Sequence, residues 1–152
     1  MIFTIRTLFF NLRRLVFAFF RIRTIGARAL VVCDGEILLI KHTYQKGWYT
    51  IGGAVEKGES TLKAVKRELW EEVGLITKKT PQLFGVYFNR NDWRDDHVIL
   101  YVVKDFTMED VDSDEIAEKK WYSFDDLPED ASPATRRRID EYLGKAPISD
   151  KW

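Results

Sequence analysis

The dipeptide Asp34-Gly35 divides two runs of β-forming residues, "ALVVC" before it and "EILLIKHT" after it. Asp-Gly is a strong hairpin signal, because a tight turn needs backbone angles these residues tolerate. A chain built around such a hairpin is committed to a sheet. Further β-rich runs follow at "GWYTIGG", "QLFGVYF", "HVILYVVKDF" and "AEKKWYSF". The first reads as a short strand ending in a Gly-Gly turn. A polar loop, "NRNDWRDD", separates the next two.

Two segments carry helical spacing instead. In "STLKAVKRELWEEVG", Leu62, Val65, Leu69 and Val73 recur at intervals of three and four, with Ser60 as N-cap and Gly74 as stop. In "PATRRRIDEYLG", Ser132 caps, Pro133 takes the first helical position and Gly144 stops the helix. One helix crossing between strands and one closing the chain imply an α/β (α+β) fold: a mixed sheet with helices packed on it. The length of 152 residues suits one domain with a core. Lys+Arg and Asp+Glu balance at 24 each, which argues against a polyanion-coating protein, so nucleic acid is not an expected partner. The single cysteine, Cys33, implies a reducing, cytoplasmic setting, and its apolar surroundings read as a buried position.

The segment before the hairpin differs in character. Arg6, Arg13, Arg14 and Arg21 fall on one side of a helical wheel, with Phe, Leu, Ile and Val over most of the rest. Residues 1–24 therefore read as a basic amphipathic helix preceding a domain at 25–152. Its uncharged runs are too short to span a bilayer. It is expected to pack on its own domain, to form a homodimer, or to lie against anionic lipid at the inner face of a membrane.

Glu68, Glu71 and Glu72 stand at i, i+3 and i+4 of the first helix and share a face. Like charges at this spacing destabilise a helix, and the last turn disfavours anions. Local stability does not explain them. A hard cation such as Mg²⁺ or Mn²⁺ does. The bland alternative is a solvated acidic face partnered by Lys66 and Arg67.

The wider spacing decides between these. It runs Gly53, five residues, Glu59, seven residues, Arg67-Glu68, Leu69, Trp70, Glu71-Glu72, Val73, Gly74, Leu75. This resembles the signature of the Nudix hydrolases, with all nine specified positions present. The resemblance implies an α/β/α sandwich and a loop–helix–loop that holds divalent metal, Mg²⁺ or Mn²⁺ in two or more ions, against a diphosphate. It implies Glu71 and Glu72 as central ligands, and Glu68 as a further ligand or water-positioning base. The Gly52 carbonyl is another candidate ligand. Glu59 and Arg67 would pair and brace the loop, with Glu59 reaching metal through water. Ile51 stands where many relatives carry proline. The implied reaction hydrolyses a nucleoside diphosphate linked to another moiety. A non-catalytic nucleotide-sensing or scaffold module of the same fold is the alternative, and an intact signature speaks against it.

Outside the signature, relatives often supply one more acid from a late loop. Here "VDSDEIAEKK" offers Glu115 first, then Glu118 and Asp114. Trp48, Tyr49 and Trp93 are candidates to grip a base, and Arg90 to hold phosphate. His42 and His97 sit at strand ends. No subfamily marker identifies the second moiety.

Overall fold

The computed structural model describes residues 23–91 and 94–152. Eight strands and two helices follow in order: β1 Arg23–Cys33, β2 Glu36–His42, β3 Ile51–Ala54, α1 Thr61–Val73, β4 Leu75–Thr77, β5 Gln82–Asn91, β6 Arg94–Val103, β7 Phe106–Met108, β8 Ile116–Ser123 and α2 Pro133–Tyr142. Asp34 (φ 49°) and Gly35 (φ 80°) both take the left-handed backbone, so the β1–β2 turn is of the primed type that matches strand twist. The register, Val31↔Leu38 and Val32↔Ile37, follows from that turn.

β1 is the centre of the molecule. One edge pairs in parallel with β6 from Arg23↔Asp95 to Val31↔Val103. The other takes β3 at Gly26–Ala29 and then β2 at Val31–Cys33, both antiparallel. β5 and β8 complete the mixed sheet, while β4 and β7 form a separate small one. Alternate residues of β1 feed two cores. Ala27, Ala29 and Val31 face Val65, Leu69 and Val73 of α1. Leu30 and Val32 join Trp48, Tyr87, Leu100 and Ile139 of α2. Burying Leu69 completely contributes roughly 1.5–3 kcal/mol. The two alanines let α1 approach the sheet closely. The result is the expected three-layer sandwich.

The C-terminal tail is locked by a buried cation. Arg138, fully buried, donates to Glu141 at 2.8 Å and to the Lys151 carbonyl at 2.8 Å, and its guanidinium lies 4.0 Å from the Tyr87 ring centroid. The Tyr87 hydroxyl donates to Glu141 at 2.9 Å. The tail is thereby held beside β5, where Trp152 N–H donates to the Phe88 carbonyl at 3.0 Å.

Four expectations need correction. The Gly-Gly pair lies inside β3 and is not a turn. The polar loop is largely strand, because β5 and β6 pair out to Asn91↔Arg94. Cys33 is exposed, since it is the last residue before the hairpin turn. β1 begins at Arg23, so the last two residues of the proposed N-terminal helix belong to the sheet. Residues 1–22, the rest of that helix, lie outside the described residues, as does Trp93. Among the described residues no helix is long and apolar enough to cross a membrane.

Candidate active site

β3 delivers the chain to the site, and its two glycines do different work. Gly52 has φ 132°, a conformation side chains avoid. A Cβ there would strike the Ala27 carbonyl on β1 and come within 2.7 Å of Arg28 Cα. Gly53 instead leaves room for a carboxylate, since a Cβ would sit 2.5 Å from Glu68 Oε1. The loop from Val55 to Ser60 then turns into α1. The Ser60 side chain caps that helix by accepting from Lys63 N–H at 3.2 Å.

Arg67 ties loop to helix. Its Nε and Nη2 donate to the two Glu59 oxygens, each at 3.0 Å, in a bidentate fork. Nη2 also donates to the Ala54 carbonyl at 3.0 Å. Nη1 reaches Glu68 at 2.7 Å and Glu71 at 3.0 Å. The Arg67 hydrogen bonds hold the Glu59 carboxyl below the usual carboxylate range. Contact with Glu59, then with Glu68 and Glu71, keeps Arg67 charged throughout the accessible pH range.

One arginine does not balance this many acids. Glu72 is 6 % exposed and accepts the Gly52 N–H at 2.8 Å. Burial pushes its carboxyl up to about 8, against the pull of the Gly52 N–H and with the charge of Glu68 adding to it. Burial, aided by the charge of Glu71, also raises Glu68 against the pull of Arg67. Glu71 is 54 % exposed. Desolvated carboxylates that resist ionisation, with hard oxygen donors only, fit Mg²⁺ or Mn²⁺. Among the described residues no three side chains already converge as a ligand cluster. Arg67 holds Glu68 and Glu71, so the two must turn from it to meet a metal.

A further acid comes from the loop before β8. The Glu115 carbonyl accepts Thr43 N–H at 2.9 Å, and its charge reaches Glu72, His42 and Tyr44. Glu118 is instead paired with Lys41 at 3.3 Å on the exposed β2–β8 edge, and Asp114 meets Thr43 only through its carbonyl. His42 is buried, and burial together with the positive charge of Arg28 lowers its imidazole below the usual range, against the pull of Glu115. Tyr49 packs on the α1 side of the core, its hydroxyl donating to the Lys46 carbonyl at 2.7 Å. Trp48 lies in the α2-side core, edge-on to Tyr122, and offers no open face. Arg90 lies exposed near the end of β5 opposite Asp95, and nothing in the described residues joins it to the acids.

Arg28 and Tyr44 were not singled out from sequence as site residues. Arg28 stands opposite Gly52 in the β1–β3 register and donates to the Thr50 carbonyl at 3.0 Å; its charge reaches Glu68 and Glu72. Only the pairing of distant strands shows this. No local signal marks either residue.

A profile of the NUDIX domain matches residues 23–143. The NAD-capped RNA hydrolase NudC of Escherichia coli (strain K12 / DH10B) is 33 % identical over 115 residues, covering 71 % of this chain and 43 % of that protein. The chain thus spans less than half the length of this curated relative. A MutT NUDIX hydrolase from Burkholderia pseudomallei superposes with TM-score 0.70 at 28 % identity, covering 78 % of this chain and 97 % of that one. The MutT protein of Methanosarcina mazei Go1 does so with TM-score 0.65 at 26 % identity, covering 81 % and 94 %. With the signature intact, the sandwich in place and the profile spanning most of its length, the chain belongs to the Nudix hydrolase family.

Proposed function

We propose that the chain hydrolyses a pyrophosphate bond in a nucleoside diphosphate linked to another moiety, water adding across the bond to release a nucleoside monophosphate and the phosphorylated second moiety, or pyrophosphate from a triphosphate. The observation that carries this reading is Glu72: a buried carboxylate that accepts the Gly52 N–H at 2.8 Å and shares its helix face with Glu68 and Glu71, its carboxyl pushed up to about 8 by burial. Glu71, Glu72, Glu68 and the Gly52 carbonyl are the residues to hold Mg²⁺ or Mn²⁺, with Glu59 reaching it through water. When bound, the ions neutralise the diphosphate oxygens and lower the pKa of a water. Arg67, through its fork to Glu59 and its bond to the Ala54 carbonyl, fixes the loop against α1. Glu68 or Glu115 takes the proton of the attacking water, Glu115 from the loop that faces Glu72.

The relative named for NAD-capped RNA puts such caps among the substrates to try. The balanced charge of this chain favours a small diphosphate over a long polyanion. A cytoplasmic setting accords with the lone cysteine. Residues 1–22 are read as an association element, for a homodimer or for anionic lipid at the inner membrane face. Light scattering and vesicle sedimentation of full-length and truncated protein separate these. The substrate test is a screen of NTPs, nucleotide sugars, ADP-ribose, dinucleoside polyphosphates, NAD and capped RNA with Mg²⁺ or Mn²⁺, followed by product identification. Release of a nucleoside monophosphate supports the reading. No product from any of them, with a folded protein, contradicts it.

A further inference from the structure

The segment after β2 presents an aromatic ring to solvent beside the acids. Tyr44 is 66 % exposed. One face of its ring stacks on His42, with centroids 4.9 Å apart and planes 27° from parallel. His42 is backed in turn by Tyr49, at 5.6 Å. The loop that carries Tyr44 is braced at both ends. Thr43 N–H and Oγ1 donate to the Glu115 and Asp114 carbonyls at 2.9 and 3.3 Å, and Tyr49 Oη donates to the Lys46 carbonyl at 2.7 Å. The ring is therefore held in place with its outer face open. Tyr44 directly follows Thr43, which is bonded to the Glu115 loop, and this puts it at the rim of the candidate active site; burial, then the charges of Glu115 and Glu72, raise its phenol.

His42 adds an independent observation. It is 6 % exposed, and its Nδ1 makes no well-formed hydrogen bond, with the Glu115 backbone close by. An orphaned buried nitrogen costs stability that an apolar residue of the same size would not. Its ring lies under Tyr44, 27° from parallel, and supports the phenol from the protein side.

We infer that Tyr44, backed by His42, is the platform on which an aromatic base of the substrate stacks while its diphosphate lies over Glu68 and Glu72. This rests on the pyrophosphohydrolase reading and names the subsite that recognises the base. Stacking on such a ring is tolerant of base identity, because every base has a π-face. Selection among bases then falls to other groups.

The test measures binding without turnover, so that it stands apart from the catalytic assignment. AMP, GMP, CMP, UMP and ribose 5-phosphate are titrated by calorimetry in Mg²⁺ into wild type, Tyr44→Ala and Tyr44→Phe. The expected result is that one or more nucleotides bind wild type about tenfold tighter than ribose 5-phosphate, a difference of ~1.4 kcal/mol. Tyr44→Ala removes that preference and leaves ribose 5-phosphate unchanged, while Tyr44→Phe keeps it. With a substrate from the screen, Tyr44→Ala raises KM about tenfold at nearly constant kcat. Because Tyr44 is exposed, melting temperatures of the variants match wild type. Nucleotides that bind no better than ribose 5-phosphate, or a preference that survives Tyr44→Ala, overturn the platform even if the protein proves an active hydrolase. Loss of turnover in Glu72→Gln bears on the catalytic reading alone.

Discussion

Glu72→Gln is expected to make the metal-free protein more stable. The folded carboxyl holds its proton up to about 8, against an ordinary 4.5. Its folded pKa is raised, so its contribution to stability is complete below pH 4.5 and is lost as pH rises toward 8. At ~1.4 kcal/mol for each pH unit, the loss at pH 8 has a ceiling of about 5 kcal/mol. Relaxation and water entry reduce such penalties to a few kcal/mol. Glutamine has the same shape, keeps a carbonyl to accept the Gly52 N–H, and does not ionise. In EDTA, urea unfolding at pH 5 should find wild type and variant within about 1 kcal/mol of one another. At pH 8 the variant should lead by about 2–4 kcal/mol. Mg²⁺ should then raise the wild-type midpoint far more than the variant's. Parallel pH profiles for the two proteins in EDTA would refute the idea that Glu72 is a desolvated acid awaiting a cation.

Other expectations use the same two kinds of assay. Arg138→Leu strands Glu141 in the α2-side core and should cost about 3–5 kcal/mol in urea unfolding, with Mg²⁺ affinity unchanged in what folds. Gly52→Ala should fold poorly, because its Cβ meets β1 backbone, whereas Gly53→Ala should fold and lose turnover, because its Cβ displaces the Glu68 carboxylate; thermal melts and kcat tell them apart. Glu115→Gln should slow turnover more than Glu118→Gln, since Glu118 is engaged with Lys41 at the sheet edge; equal or reversed effects would remove Glu115 from the proton-transfer step.

The parts of the fold that were legible are those with local causes. Asp34-Gly35 specifies its turn through backbone sterics, and Ser60 and Gly74 end α1 through caps, so both elements could be read from a few residues. The acidic face was legible because helical spacing alone brings Glu68, Glu71 and Glu72 together. What escaped depends on long-range pairing. Arg28 nears the acids only because β1 meets β3 with Arg28 opposite Gly52. Tyr44 nears them only because its loop hydrogen-bonds to Glu115, far along the chain. The polar composition of "NRNDWRDD" reads as loop, yet cross-strand pairing extends β5 to Asn91 and starts β6 at Arg94. Trp48 looked available beside the glycines, but strand alternation turns it into the α2-side core.

The most direct measurement is kcat for Glu72→Gln beside wild type, on a substrate from the screen, in Mg²⁺ and with folding verified in both. Loss of a metal ligand and a charge at the diphosphate should lower kcat by about 10²-fold or more, ~2.7 kcal/mol of transition-state stabilisation, in a protein no less stable than wild type. Near-normal turnover in the folded variant would contradict the assignment of Glu72, and with it the account of why this helix gathers its acids.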